Sequence, residues 1–298
     1  MVYSDHIPRK EVAWNGIRFL SPREWELGKI GSRYLLLEDE SGPVMEIKWG
    51  QIKGTFSHRD YLKRLSAFRG KGHGKSVSES PLPSGWEKAL GSFESTGFSW
   101  RGTFLGGMGV ILFCPTCRNA TLIQFYQRDS GKLKRIYQPV LASFRDHRQD
   151  NQVVWSVFDI RAIMPGQYQL VRHRLDPGQF ELAFESKGQQ ITLYRWGPAS
   201  ILLENRDLVE FAGAMVDTFG NEPHLVTQSS GKVVEWEVHL PLSRWKRLWG
   251  YIKTRRLFQE YRLWHLEEKN RILGVSAVGK KPFDSRLLEQ IFSNYESI

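Results

Sequence analysis

Two thiols separated by a Pro-Thr pair, Cys114-Pro115-Thr116-Cys117, are the first chemistry this sequence offers. Thiolates at that spacing on a turn clasp a zinc ion from one side. Zinc takes four ligands, and Cys114 and Cys117 are the chain's 2 cysteines, so a complete site needs further donors. At the corresponding positions of an internal repeat stand His265 and Glu268, both of ligand type. A four-cysteine site shared by two chains is the other way to complete the tetrahedron. The pair also suits a redox dithiol, although the thioredoxin motif sits at a helix N-terminus, a context this one lacks. An ordinary β-turn with two small, burial-tolerant residues is the plain structural reading.

Leu242 to Leu257 carries Arg244, Lys246, Arg247, Lys253, Arg255 and Arg256 together with Trp245, Trp249 and Tyr251, and holds no acid. Leu242, Trp245, Leu248, Trp249 and Ile252 fall at helical spacing, which predicts a short amphipathic basic helix. Arg244, Trp245, Lys246, Arg247, Trp249 and Lys253 are the candidate partner-binding residues. They suit an acidic protein groove, an anionic lipid surface or a nucleic-acid backbone with stacked aromatics. Tryptophans packed on a sheet, with the basic residues as a solvated face, would need no partner.

Gly70-Lys71-Gly72-His73-Gly74-Lys75-Ser76 resembles a phosphate-binding loop, but it has one residue too few between the glycines and follows a helix rather than a strand. A flexible basic linker accounts for it. Arg59-Asp60 and Arg206-Asp207 recur at the starts of two predicted helices, where an acid in the first turn is favoured by the helix dipole. The histidines are scattered and neither GxSxG nor HExxH occurs, so no catalytic residue is assigned.

The elements that must position these residues are written twice. Trp49-Gly50 and Arg59-Asp60-Tyr61-Leu62 return 147 residues later as Trp196-Gly197 and Arg206-Asp207-Leu208-Val209. After a short polar arm, Ile17, Phe19, Pro22, Trp25 and Leu27 predict two strands turning at a proline, and Ile160, Ala162, Pro165, Tyr168 and Leu170 repeat them at an offset of 143. Hairpins follow at Tyr34 to Trp49 and Phe180 to Trp196, then helices opening near Ser57 and Asn205. Residues 69–85 and 220–231 read as connectors. Further strands and closing helices match at an offset of 151, with Ile136, Tyr137, Val140, Leu141 and Phe144 falling on Leu287, Leu288, Ile291, Phe292 and Tyr295. The growth in offset predicts an insertion of about ten residues near 241–256.

Each half therefore reads βββαβββα, an α+β module whose helices pack on one antiparallel sheet. Residues 1–150 form the first module and residues 151–298 the second, related by a pseudo-twofold like a dimer fused end to end. This element order, with its proline corner followed by an aromatic, resembles the PsbP-like fold, shared by the photosystem extrinsic protein, a nuclear transport factor and small chaperones of type VI secretion effectors. The resemblance implies binding or chaperone-like work without chemistry and carries over no functional residue.

A chain with 41% hydrophobic residues and 13% aromatics fills two medium cores. No apolar run reaches the ~18 to 20 residues of a membrane helix, and with no export signal a soluble cytoplasmic setting is expected. The formal net charge of +10 is uneven: residues 1–150 hold 23 basic against 15 acidic residues, and residues 151–298 hold 19 against 17. Such a surface attracts nucleic acid, anionic lipid or acidic protein alike. The expectation is a non-enzymatic protein-binding adaptor. An enzyme with its site between the modules and a nucleic-acid-binding protein are the alternatives, and zinc at Cys114 and Cys117 is the one cofactor the sequence suggests.

Overall fold

The computed structural model describes residues 7–70, 76–102, 105–127, 133–147, 151–215, 224–228, 231–239 and 258–298. The chain forms two compact units, one of residues 1–149 with 154–158 and one of residues 150–153 with 159–298. Both are α+β with open antiparallel sheets. Among the described residues no helix is long and apolar enough to cross a membrane.

The first unit opens on a hairpin of β1 (Arg9–Trp14) and β2 (Ile17–Pro22), paired from Trp14↔Ile17 outward. Its two-residue turn is Asn15-Gly16, both at positive φ (45° and 93°), the chemistry that a tight hairpin turn demands. The chain then turns a corner, where Trp25 N–H donates to Pro22 C=O at 3.2 Å. It enters a seven-stranded sheet, β3 (Glu26–Gly31), β4 (Tyr34–Asp39), β5 (Gly42–Gln51), β6 (Ser76–Glu79), β7 (Glu94–Arg101), β8 (Gly106–Phe113) and β9 (Asn119–Gln127). The spatial order is β3-β4-β5-β9-β8-β7-β6. Helices α1 (His58–Gly70), α2 (Trp86–Ala89) and α3 (Leu133–Ser143) complete the unit. Leu62 of α1 packs on Phe98, Trp100, Ile111 and Leu122, the alternate residues of three adjacent strands.

The second unit repeats that permutation. Strands β12 (Gln169–Asp176), β13 (Gln179–Ser186), β14 (Gln189–Trp196), β15 (His224–Gln228), β16 (Gly231–His239), β17 (Phe258–Leu266) and β18 (Arg271–Gly279) lie in the order β12-β13-β14-β18-β17-β16-β15. Ahead of them come β10 (Gln152–Val157), which crosses between the units in sequence, and β11 (Ile160–Pro165), which pairs with the terminal β19 (Glu296–Ser297). Tyr168 N–H donates to Pro165 C=O at 3.0 Å, closing a proline corner like that at Pro22. Helices α4 (Ala199–Leu202), α5 (Leu208–Met215) and α6 (Ser285–Ser293) follow. Leu208, Phe211 and Ala212 of α5 pack on Trp196, Val234, Trp236, Leu263 and Ile272.

The βββαβββα order needs correction. In each half of the sequence five strands precede the first helix, and in the first half the supposed polar arm is β1, with Val12, Ala13 and Trp14 buried. The supposed connectors also contain strands, β6 and β15, which form the sheet edges. Ser57 does cap α1, its Oγ accepting from Asp60 N–H at 3.2 Å. The second helix is capped by Asp207 rather than Asn205. Asp207 Oδ1 accepts from Glu210 N–H at 2.8 Å and Glu210 Oε2 accepts from Asp207 N–H at 3.0 Å, a reciprocal box that satisfies two orphan donors of the first turn.

Candidate functional site

Cys114 and Cys117 lie in the turn between β8 and β9, closed by Arg118 N–H donating to Cys114 C=O at 2.8 Å and Cys114 N–H donating to Asn119 C=O at 2.9 Å. Arg118 sits at φ 59°, in the left-handed region that lets the chain reverse after Cys117. Opposite them comes the end of α3. Its apolar face (Tyr137, Val140, Leu141) and Phe144 are buried. Beyond it Arg145 exchanges two backbone hydrogen bonds with Arg18 of β2, at 2.8 and 2.9 Å. That bridge fixes Asp146 and His147 against the turn, with Asn119 Nδ2 donating to Asp146 C=O at 3.4 Å.

One donor atom from each of Cys114, Cys117, Asp146 and His147 converges in a space where all four lie within 4.8 Å of one another. Cys117 Sγ is 3.3 Å from Asp146 Oδ2, Cys114 Sγ is 3.4 Å from His147 Nδ1, and His147 Nδ1 is 2.7 Å from Asp146 Oδ1. The last contact lacks hydrogen-bond geometry, so Asp146 Oδ1 is buried without a hydrogen-bond partner. The Asp146 side chain is 1% exposed against 45% for His147, so the cluster is closed on its carboxylate side and open at the imidazole.

A Cys-His-Asp relay needs the two imidazole nitrogens to face different partners. Here Nδ1 faces both the sulfur and the carboxylate, and Cys114 is 1% exposed, so the geometry is not that of a nucleophile. Burial pushes the Cys117 thiol up to about 12, with the nearby Asp146 carboxylate adding to the rise. Reactive cysteines are displaced the other way. The chelator-treated protein is accordingly expected to react with iodoacetamide at neutral pH at least ~10 times more slowly than free cysteine. Mass spectrometry of the alkylated peptide reads this, and a rate equal to that of free cysteine would contradict it.

Of the other residues singled out from the sequence, His265 (β17) and Glu268 belong to the second unit, and among the described residues the ligand-type groups gathered with the two thiols are Asp146 and His147. Arg244, Trp245, Lys246, Arg247, Trp249 and Lys253 lie outside the described residues, as do residues 71–75 of the glycine-rich loop. Asp60 and Asp207 serve their helix starts.

The second unit carries a groove of about 690 Å³ between α6 and strands β16 and β17. Glu235, Glu237, Glu260 and Glu289 line it with Arg262, and Leu288 and Phe292 add apolar surface. Arg262 bridges Glu235 at 2.6 Å and Glu289 at 2.7 Å and stacks over Phe292 at 4.1 Å. Glu237 stands directly opposite Glu260 in the ladder. Elsewhere in this unit, burial alone would raise the Asp159 carboxyl, but hydrogen bonds and charge from Arg195 and Arg271 hold it below its ordinary value. Burial pushes the neighbouring Tyr295 hydroxyl up, with the Asp159 charge adding to the rise and Arg195 opposing it, and that hydroxyl donates to the Tyr194 carbonyl at 2.9 Å.

No protein-family model matches the sequence, and no curated protein matches it. Among solved structures, the chain is similar to the Ran-binding protein Mog1p of Saccharomyces cerevisiae at TM-score 0.33 and 7% identity, over 47% of this chain and 96% of that one. It is similar to a Bacteroides thetaiotaomicron protein at TM-score 0.30 and 13% identity, over 52% and 53%. It is similar to the type VI secretion immunity protein TplEi of Pseudomonas aeruginosa, complexed with an "L" peptide, at TM-score 0.35 and 14% identity, over 97% and 98%. Likenesses at TM-scores this low assign neither a fold family nor an activity to the chain.

Proposed function

We propose that this is a non-enzymatic binding protein, built from two descendants of one PsbP-like module, that recognises a basic segment of another protein. The carrying observation is the groove of the second unit, which Glu235, Glu237, Glu260 and Glu289 line together with Arg262, Leu288 and Phe292. That lining suits a lysine or arginine side chain, which buries its methylene stem on apolar surface while its head meets carboxylates. On a protein of net charge +10 a polycation is repelled by the surface at large, so attraction has to arise locally. Descent from one module is supported by the identical strand permutation of the two sheets.

A fluorescein-labelled hexa-arginine peptide, followed by fluorescence anisotropy, tests the reading. Saturable binding is expected that weakens with salt and falls roughly tenfold in a Glu237→Gln/Glu260→Gln variant, since rim charges act chiefly through screened attraction. Equal binding by the variant, or none by the wild type, would sink it.

A further inference from the structure

We propose that Cys114, Cys117, Asp146 and His147 are the four ligands of a zinc ion that ties the β8–β9 turn to the end of α3 in the first unit. A tetrahedral zinc site with bonds of ~2.0–2.3 Å has ligand-to-ligand edges of roughly 3.3–3.8 Å. The sulfur-to-oxygen and sulfur-to-nitrogen separations are 3.3 and 3.4 Å, and all four donors lie within 4.8 Å of one another. The Nδ1–Oδ1 approach of 2.7 Å is shorter than such an edge, and the His147 side chain, 45% exposed, is free to swing outward.

The second observation is one oxygen of the buried Asp146 carboxylate. Asp146 is 3% exposed, and its Oδ1 accepts no hydrogen bond. A buried carboxylate is stabilised by pairing or by coordinating a metal, and here Oδ2 has only a weak thiol donor while Oδ1 has the His147 ring beside it without hydrogen-bond geometry. An imidazolium at His147 would have one Nδ1 proton for two acceptors, the Cys114 sulfur and the Asp146 oxygen. A dication at the centre serves all four groups at once. Two thiolates, one carboxylate and Zn²⁺ leave a net charge of −1, and an adjoining pocket of about 570 Å³ is lined by Arg18, Lys88 and Arg145 beside His147. Those cations offset the residual charge.

Soft thiolates select zinc over magnesium or calcium, and binding releases the protons of any thiol still protonated. Four protein ligands close the coordination sphere, as in structural rather than catalytic zinc sites. The ion would join segments 33 residues apart, taking over the cross-linking role that a disulfide has elsewhere.

Protein purified without chelator should contain near-stoichiometric zinc by elemental analysis. After chelation, Co²⁺ should restore the intense visible bands of tetrahedral cobalt with thiolate charge-transfer absorption. The exposed position of His147 makes His147→Ala a variant that folds; it should bind cobalt roughly tenfold or more weakly, as should Asp146→Asn. Cys114→Ser/Cys117→Ser should bind none. The wild-type cobalt titration stands even if the double variant does not fold. Folded wild type with both thiols reduced and no cobalt bands overturns the assignment, as does cobalt or zinc binding unchanged in both His147→Ala and Asp146→Asn. A Cys114–Cys117 disulfide that, once reduced, still yields no metal binding overturns it equally.

Discussion

Replacing Asp159 by alanine is expected to destabilise the second unit by about 3 kcal/mol, the lower end of the range for breaking a buried ion pair. Asp159 Oδ2 accepts from Arg271 Nε at 2.8 Å and from two nitrogens of Arg195, one of them Nε at 3.1 Å. Arg195 lies over the Phe180 ring at 4.4 Å with its side chain 8% exposed. Without the carboxylate that guanidinium is left in a largely desolvated place with no counter-charge. Asp159 and Arg271 are 26% and 27% exposed, so water relieves part of the penalty, which sets the estimate at the low end. At a urea slope of ~1–3 kcal/mol per molar, the midpoint should fall by roughly 1–3 M. The effect carries a pH signature. Because the folded carboxyl titrates below its ordinary value, its contribution is fully present above the unfolded value of about 4 and is lost as pH falls through the depressed one. The gap between wild type and Asp159→Ala should therefore narrow in acid. A gap independent of pH down to the acid limb would show that the trio does not stabilise through charge.

Trp14→Ala should cost the first unit about 3–5 kcal/mol. Trp14 is fully buried at 0% exposure. Its indole meets Trp155 edge-on at 5.1 Å between ring centroids, and its Nε1 donates to Gly31 C=O at 2.7 Å. Alanine leaves a cavity of most of an indole and strips that carbonyl of its donor. Trp14→Phe, which keeps the apolar bulk but not the N–H, should cost less than half as much, the remainder being cavity. Chemical denaturation of both variants separates the two contributions. A midpoint for Trp14→Ala within error of wild type would mean that the β1–β2 hairpin is not part of the cooperative core.

Trp14 also marks a limit of local sequence pattern. The stretch ahead of Ile17 looked like a polar arm because Arg9, Lys10 and Glu11 precede its three buried residues. The Asn15-Gly16 pair was a local signal for the hairpin, and it was available without any structure. Strands β6 and β15 had no such signal. Ser76-Val77-Ser78-Glu79 has little apolar content, and its ladder with β7, Val77 against Trp100 and Glu79 against Phe98, makes it a strand. Edge strands need bury only part of one face, so their pattern is faint.

Asp146 and His147 illustrate the same limit at the candidate metal centre. An Asp-His pair just past a helix has no distinguishing pattern, and the repeat register pointed to His265 and Glu268 instead. Aligned positions in two modules share a place in the fold, not a place in space. What completes the cluster is the Arg18–Arg145 bridge and the buried face of α3, both long-range contacts.

The alternation of apolar and polar residues, the hairpin turns, the helix starts and the pairing of Cys114 with Cys117 on one turn were determined by the sequence alone, since each depends on neighbours within a few positions. Which strands lie at the edges, that Asp159 gathers two arginines, and that a carboxylate and an imidazole close on two sulfurs were decided only by the tertiary structure. Those arrangements depend on how separate segments come to rest against one another, and burial then sets the chemistry of the groups brought together.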